Sequence, residues 1–231
     1  MRLSIIVPVY NEIDTIEIII NKILNLKLRD KEIVIVDDFS EDGTREVLSN
    51  FKKNKDLNII FHDKNMGKGA CIKSATKIIK GDYVVIQDAD LEYDPEELLK
   101  FVDFAEKKKA KVIYGSRVLG RKKIILDLFT LFRIFANFSL TKVSNLINNQ
   151  SLTDAHTCYK FISKNIFLKL DLKQDDFSIC PEITTKISKL NIQIDEIPIS
   201  YKGRNYNQGK KIKFKDGIMA LITLLKYRFF I

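Results

Sequence analysis

Tyr83-Val84-Val85-Ile86-Gln87-Asp88-Ala89-Asp90 runs from an unbroken apolar stretch straight into two carboxylates. Four apolar residues in a row, two of them valines, read as a strand buried on both faces. Side chains of extended backbone alternate faces, so Asp88 and Asp90 point the same way. They sit where open α/β sheets bind ligands, beyond the carboxyl end of a strand. Ala89 is small and leaves room between them. Two hard oxygen ligands suit Mg²⁺ or Mn²⁺, ions that take one or two carboxylates and keep positions for substrate phosphates. A solvated acidic turn would carry the same triplet, so the surrounding sequence decides the reading.

On either side of this strand the first 115 residues alternate two patterns. Strand signals occupy Leu3 to Val9, Glu32 to Val36, Leu57 to Phe61 and Lys111 to Tyr114. Helical periodicity fills the gaps: Asp14 to Leu28, with Ile16, Ile19, Ile20, Ile23 and Leu24 on one face, then Gly43 to Lys53 and Lys68 to Lys80. A further helix starts at Pro95, where a first-turn proline is followed by Glu96 and Glu97 at the positive end of the dipole. Alternating strands and helices imply an α/β fold, a mostly parallel doubly wound sheet covered on both faces. The later sequence changes character. Ile124 to Ile147 reads as amphipathic helix, followed by a short strand at Tyr159 to Ile162 and a helix over Pro181 to Leu190. A strand at Ile192 to Ile199, a basic loop and a terminal helix from Phe214 complete the chain. No linker divides it, so residues 1–231 are expected to form one domain, with a ligand-binding half (1–115) and a second half (116–231) carrying the amphipathic helices.

Composition narrows the class. The 231 residues are 45% hydrophobic, an ordinary globular content, and the three scattered cysteines fit neither a disulfide framework nor a zinc site. No apolar run reaches the ~18 residues that span a bilayer, and the opening residues lack a signal-peptide layout. The expectation is a cytoplasmic protein, soluble or peripheral on a membrane. The net charge of +9 points to anionic partners: nucleic acid, anionic lipid or phosphorylated substrates. Its excess gathers between Lys202 and Lys215, a stretch without acids.

Four further polar segments follow strands of the first half: Pro8 to Glu12, Asp37-Asp38-Phe39-Ser40 with Asp42-Gly43-Thr44, Asn65 to Gly69, and Gly115-Ser116-Arg117. All are expected to face one crevice. They offer carboxylates for ribose hydroxyls and base nitrogens, backbone N–H groups at a helix start, and a lysine for phosphate. With Asp88-Ala89-Asp90, these segments resemble an inverting family 2 glycosyltransferase of the A-type fold. Thr153-Asp154, Ile197 to Tyr201 and Arg204 are similar to the dolichyl- and polyprenyl-phosphate sugar transferases within it.

The resemblance implies a nucleotide-diphosphate sugar donor (GDP-mannose or a UDP-hexose), a polyprenyl phosphate acceptor, a divalent metal and a membrane surface, with a membrane-anchoring partner protein in some members. It assigns Pro8, Tyr10, Glu12 and Asp37 to the base and ribose, with Asp38 and Lys68 nearby. Asp88 and Asp90 bind metal and pyrophosphate. Glu92 stands where relatives often have Gln as a further metal ligand. Arg117 and Arg133 hold the acceptor phosphate, and Arg204 and Lys210 the donor pyrophosphate. The chain departs from the family pattern at Cys158-Tyr159-Lys160, where relatives often have Gly-Phe-Arg.

Chemistry supports these roles independently. Arginine forks match phosphate oxygens bidentately. A phosphomonoester, with its second pKa near ~6, arrives largely dianionic and needs no general base. A saccharide hydroxyl would need one, for which Asp154, Glu182 and His156 are the candidates. Plainer readings stand beside each. Asp42 fits a turn or cap, Arg117 a cap at the sheet edge, and Glu182 a helix cap. Arg133 fits a snorkelling residue, His156 fits no role in particular, and His62, at a strand end, has no assignment. Ile124 to Ile147 and Ile218 to Ile231 suit a bilayer interface, although the terminal helix also fits packing on the sheet. Three functions are carried forward: sugar transfer to a polyprenyl phosphate, sugar transfer to a saccharide hydroxyl in polysaccharide or glycan assembly, and a non-catalytic basic module. Strand-end acids oppose nucleic acid as a partner in the last, and no nucleic-acid motif is present.

Overall fold

Three strands alternating with helices build one side of the sheet. β1 (Leu3–Val9), β2 (Lys31–Asp37) and β3 (Leu57–Phe61) are separated by α1 (Ile16–Leu24) and α2 (Thr44–Asn50). After α3 (Lys68–Thr76) comes β4 (Tyr83–Ile86), and after it a 3₁₀ turn, Pro95–Glu97, that leads into α4 (Leu98–Lys108) and β5 (Val112–Ser116). The later elements are α5 (Leu128–Asn148), β6 (Lys160–Ser163), α6 (Lys164–Lys169), α7 (Ile179–Lys189), β7 (Asp195–Pro198) and α8 (Phe214–Phe229). The computed structural model describes residues 1–121, 128–204 and 214–230.

One seven-stranded sheet, in the order β3-β2-β1-β4-β6-β5-β7, takes strands from both halves of the chain. All pairings are parallel except those of β6, which lies antiparallel between β4 and β5. Register sets the site. Val9 lies opposite Asp37, Asp37 opposite Phe61, and Ile6 opposite Ile86, so four strands end along one edge. Two reversals through β6 bring β5 back parallel to β4, so Arg117 emerges at that edge as well. The amino end of β6 and the carboxyl end of β7 reach it from the second half.

The central strands are wholly buried, as their unbroken apolar runs require. Ile5, Ile6, Val7, Ile33 to Val36, and Val84 to Ile86 form the core with Ile16, Ile19, Ile20 and Ile23 of α1. That i, i+3, i+4, i+7 spacing is the apolar stripe read from the sequence, with Leu24 only partly buried beside it. Several helices are shorter than their periodicity. α1 stops at Leu24 because the Leu24 and Leu26 carbonyls each accept from Lys31 Nζ at 2.8 Å, which turns the chain into β2. α8 packs chiefly on α7 and α5. Ala220, Thr223, Leu224 and Tyr227 are buried there, while Ile218, Met219, Ile222, Leu225, Phe229 and Phe230 stay exposed. No helix among the described residues is long and apolar enough to cross a membrane.

Candidate active site

The strand-end loops enclose a cavity of about 350 Å³. Pro8 comes from the end of β1, Tyr10 and Glu12 from the loop after it, Asp38 from just beyond β2, Lys68 from the start of α3, and Asp88, Asp90 and Glu92 from the loop after β4. Arg117, His156, Cys158, Tyr201 and Arg204 close it from the second half of the chain. A second depression of about 650 Å³, between α1 and the Glu96–Leu99 segment, carries none of the strand-end motifs.

Asp88 and Asp90 form the acidic floor of the cavity. Burial, reinforced by the charges of Asp88 and Glu92, pushes Asp90 up to about 7. Lys68 Nζ pairs with Asp88, and Arg204 reaches Asp90 Oδ2 at 3.3 Å while its fork engages both Glu12 oxygens at 2.9 Å. Crowded acids on a partly buried floor are a hard-oxygen donor set that a divalent cation would relieve, so Asp88 and Asp90 fit a metal. Glu92 is turned another way. Its Oε2 accepts from Tyr201 O–H at 2.6 Å, its Oε1 from the Arg204 backbone N–H at 2.5 Å, and its carbonyl from Lys202 N–H at 2.9 Å. In this arrangement Glu92 lines the cavity and anchors residues 201–204.

At the other end of the acid row, Asp37 does not line the cavity. It is fully buried, with Arg45 Nε at 3.0 Å and Ser40 N–H at 3.2 Å on Oδ2. Strand alternation turns it away while Asp38 faces in. Asp42 is a cap: it accepts from Thr44 N–H at 3.0 Å, Thr44 O–H at 2.6 Å and Ile13 N–H at 3.1 Å. Glu12, whose N–H donates to Thr44 Oγ1 at 3.0 Å, is thereby fixed at the cavity mouth.

Arg117 dominates the opposite wall. Its Nε and Nη2 donate to the two Asp154 oxygens at 2.6 and 2.8 Å, its backbone N–H adds a third bond at 3.1 Å, and its guanidinium lies 5.1 Å from the Tyr201 ring centroid. Burial would raise Asp154, but the Arg117 charge and hydrogen bonds hold it at about 2. Beside this pair His156 is pushed down to about 4 by burial and by Lys160. Lys160, buried over the Tyr114 ring with Nζ 2.8 Å from the Ala155 carbonyl, is itself lowered to about 8 by desolvation. Glu182 is outside the cavity. It accepts from Lys173 and Gln174 N–H at 2.8 Å and pairs with Lys186 at 2.6 Å, which fixes the loop before α7. Lys210 lies outside the described residues, as does the side chain of Arg133.

The sequence pointed to neither Glu196 nor His62. Glu196, on β7, accepts from Thr153 and Asp154 N–H at 2.8 and 3.0 Å and so orients Asp154. His62 lies between Asp38 and Ser74. Among the described residues, Asp38, His62 and Cys71 are the one group of three whose metal-ligating atoms lie within 4.8 Å of one another, yet those of Asp38 and His62 already serve a hydrogen-bond network.

A mostly parallel sheet whose carboxyl edge carries paired aspartates facing arginines places a ligand site where open α/β sheets bind theirs, and the fold is that of the A-type glycosyltransferases. The profile of glycosyl transferase family 2 matches residues 4–170, and the chain belongs to that family; it is a glycosyltransferase. It is 28% identical over 249 aligned residues to dolichyl-phosphate beta-glucosyltransferase ALG5A of Trichomonas vaginalis, covering 99% of this chain and 73% of that protein. Over 125 residues it is 30% identical to poly-beta-1,6-N-acetyl-D-glucosamine synthase of Staphylococcus epidermidis, covering 54% of this chain and 30% of that one. Its fold is similar to that of Mycobacterium tuberculosis glucosyl-3-phosphoglycerate synthase in complex with Mn²⁺, UDP and phosphoglyceric acid. There the TM-score is 0.71 at 16% identity, over 98% of this chain and 78% of that one. Membership in a catalytic family leaves the non-catalytic module without support.

Proposed function

We propose that this glycosyltransferase moves a hexose from a nucleotide diphosphate to a polyprenyl phosphate, with inversion, at the cytoplasmic face of a membrane. The observation that carries the reading is chemical: among the described residues at the Arg117 end, no group is fit to be a general base. Asp154 is spent on Arg117, and His156, at about 4, is too weak a base at neutral pH. Glu182 lies elsewhere. A phosphomonoester acceptor arrives already ionised and would need no base at that wall.

The residues then divide the work. Arg117 orients the acceptor phosphate for in-line attack on the anomeric carbon. Arg204 and Lys68, which neutralise Asp90 and Asp88 here, turn to the donor pyrophosphate. Asp88 and Asp90 would hold Mg²⁺ or Mn²⁺, as the Mn²⁺ and UDP bound to the mycobacterial enzyme support. Such an ion supplies positive charge to the departing diphosphate. The exposed apolar face of α8, with Lys226 and Arg228 near its end and Phe135 and Phe138 exposed on neighbouring α5, suits an anionic bilayer surface.

A second reading, transfer to a saccharide hydroxyl, has the likeness to the N-acetylglucosamine polymer synthase in its favour. One assay separates the two: labelled GDP- and UDP-sugars are offered with Mn²⁺ to polyprenyl phosphate in liposomes, and organic-extractable label is counted. Lipid labelling from one donor is expected. Donor binding without lipid labelling from any of them would reject the lipid-phosphate acceptor.

A further inference from the structure

His62 and Asp38 form a buried pair at the cavity wall, with Asp38 in the lining and His62 behind it. His62 Nδ1 lies 2.8 Å from Asp38 Oδ1, and its Nε2 lies 2.9 Å from Ser74 Oγ. Asp38 Oδ1 also accepts from Met66 N–H at 2.8 Å, and Oδ2 from Gly67 N–H at 2.7 Å. The Cys71 Sγ lies within 4.8 Å of both groups, and burial and the Asp38 charge keep its thiol protonated. An ionised carboxylate has about four lone-pair sites and no hydrogen to give. Asp38 gives three of them to the protein: Oδ1 takes His62 and Met66, and Oδ2 takes Gly67. Because a carboxylate only accepts, Nδ1 of His62 carries the hydrogen of their bond.

The two amides that Asp38 holds belong to the turn that opens α3. Gly67 has φ +97, and a Cβ there would collide with the Asp175 carbonyl. The next residue is Lys68, whose ammonium meets Asp88 on the cavity floor. His62 thus grips α3 twice, through Asp38 at its first turn and through Ser74 further along.

We propose that His62 is a positioning residue for the donor site: by holding Asp38 with Nδ1–H, it fixes the Met66–Gly67 turn that presents Lys68 to the nucleotide diphosphate. Asp38 is then the link between His62 and that turn. The proposal deepens the sugar-nucleotide reading and rests on it for the ligand, while the geometry of the turn stands by itself.

Two isosteric substitutions test it. In His62→Asn the amide N–H lies where Nδ1 does and still reaches Asp38; in His62→Gln it lies where Nε2 does and does not. UDP and GDP are titrated, each with Mn²⁺, into wild type and both variants. Hydrogen exchange at the Met66 and Gly67 amides and the thermal midpoint are followed without ligand. His62→Gln is expected to weaken nucleotide binding about tenfold and to speed exchange at both amides by a similar factor, with His62→Asn within about twofold of wild type. The proposal is overturned if His62→Gln leaves exchange and affinity unchanged. It is overturned equally if both variants lose affinity only in step with their thermal midpoints. Should wild type bind neither nucleotide, the sugar-nucleotide reading fails, and the exchange contrast alone decides the role of His62.

Discussion

Replacing Asp154 by Asn removes one charge from the Arg117 wall and almost no volume. Asp154 is fully buried and takes three bonds from Arg117, with Asn137 Nδ2 at 3.3 Å as a fourth donor. The substitution sets an amide NH₂ against guanidinium donors and leaves a cation without its counterion. Breaking such a pair costs about 3–5 kcal/mol. The Arg117 side chain is 19% exposed, so some hydration returns and the lower half of that range applies. At about 2–4 °C per kcal/mol for a chain of this size, the thermal midpoint should fall by about 6–16 °C. A domain with ~5–15 kcal/mol to spare stays folded. The assay pairs thermal denaturation with lipid-labelling kinetics, in which the KM for polyprenyl phosphate should rise as Arg117 loses its orientation. The contribution of Asp154 is present above its unfolded value of 3.8 and is lost as pH falls through about 2, so the variant and wild type should converge in acid. A variant that melts within about 1 °C of wild type yet is inactive would refute this reasoning and make Asp154 a base.

Asp88→Asn and Asp90→Asn should each abolish Mn²⁺-dependent nucleotide binding without loss of fold; titration calorimetry that finds wild-type affinity in either would remove the metal role from that residue. Lys160, lowered to about 8 in the folded chain from 10.5, binds its proton less well folded than unfolded. Its share of stability should therefore rise by about 3 kcal/mol between pH 8 and 10.5, and Lys160→Met should flatten that rise in urea melts. Ile222→Glu with Phe229→Glu places two charges on the open face of α8 and should release the protein from anionic vesicles in a sedimentation assay. Unchanged sedimentation would send the search for the membrane surface elsewhere.

The strand ends were legible because a parallel sheet writes them locally: an apolar run, then polar or glycine-rich residues, as at Val9-Tyr10 and Ile86-Gln87-Asp88. What escaped was pairing across distance. No local signal marks β6 as antiparallel, because its partners Val84 and Ile113 lie far away in sequence. Asp154 and Arg117 are 37 residues apart, so each was read alone, one as a candidate base and the other as a phosphate ligand. Glu92 shared the spacing of Asp88 and Asp90, and only the return of residues 201–204 reveals where its carboxylate is used. Asp37 and Asp38 are adjacent, and alternation about β2 decides which of them faces the cavity.

The antiparallel insertion of β6 carries a consequence for how the chain is made. β5 finds its partners only in β6 and β7, both encoded well after it, and β4 likewise waits for β6 on its outer side. During synthesis at about 5–20 residues per second, the nascent protein spends several seconds with an open β4 edge and an orphaned β5. Such edges recruit other strands. A ribosome stall or truncation between Ser116 and Lys160 should therefore yield an aggregating fragment, and chaperone demand should peak in that interval of translation.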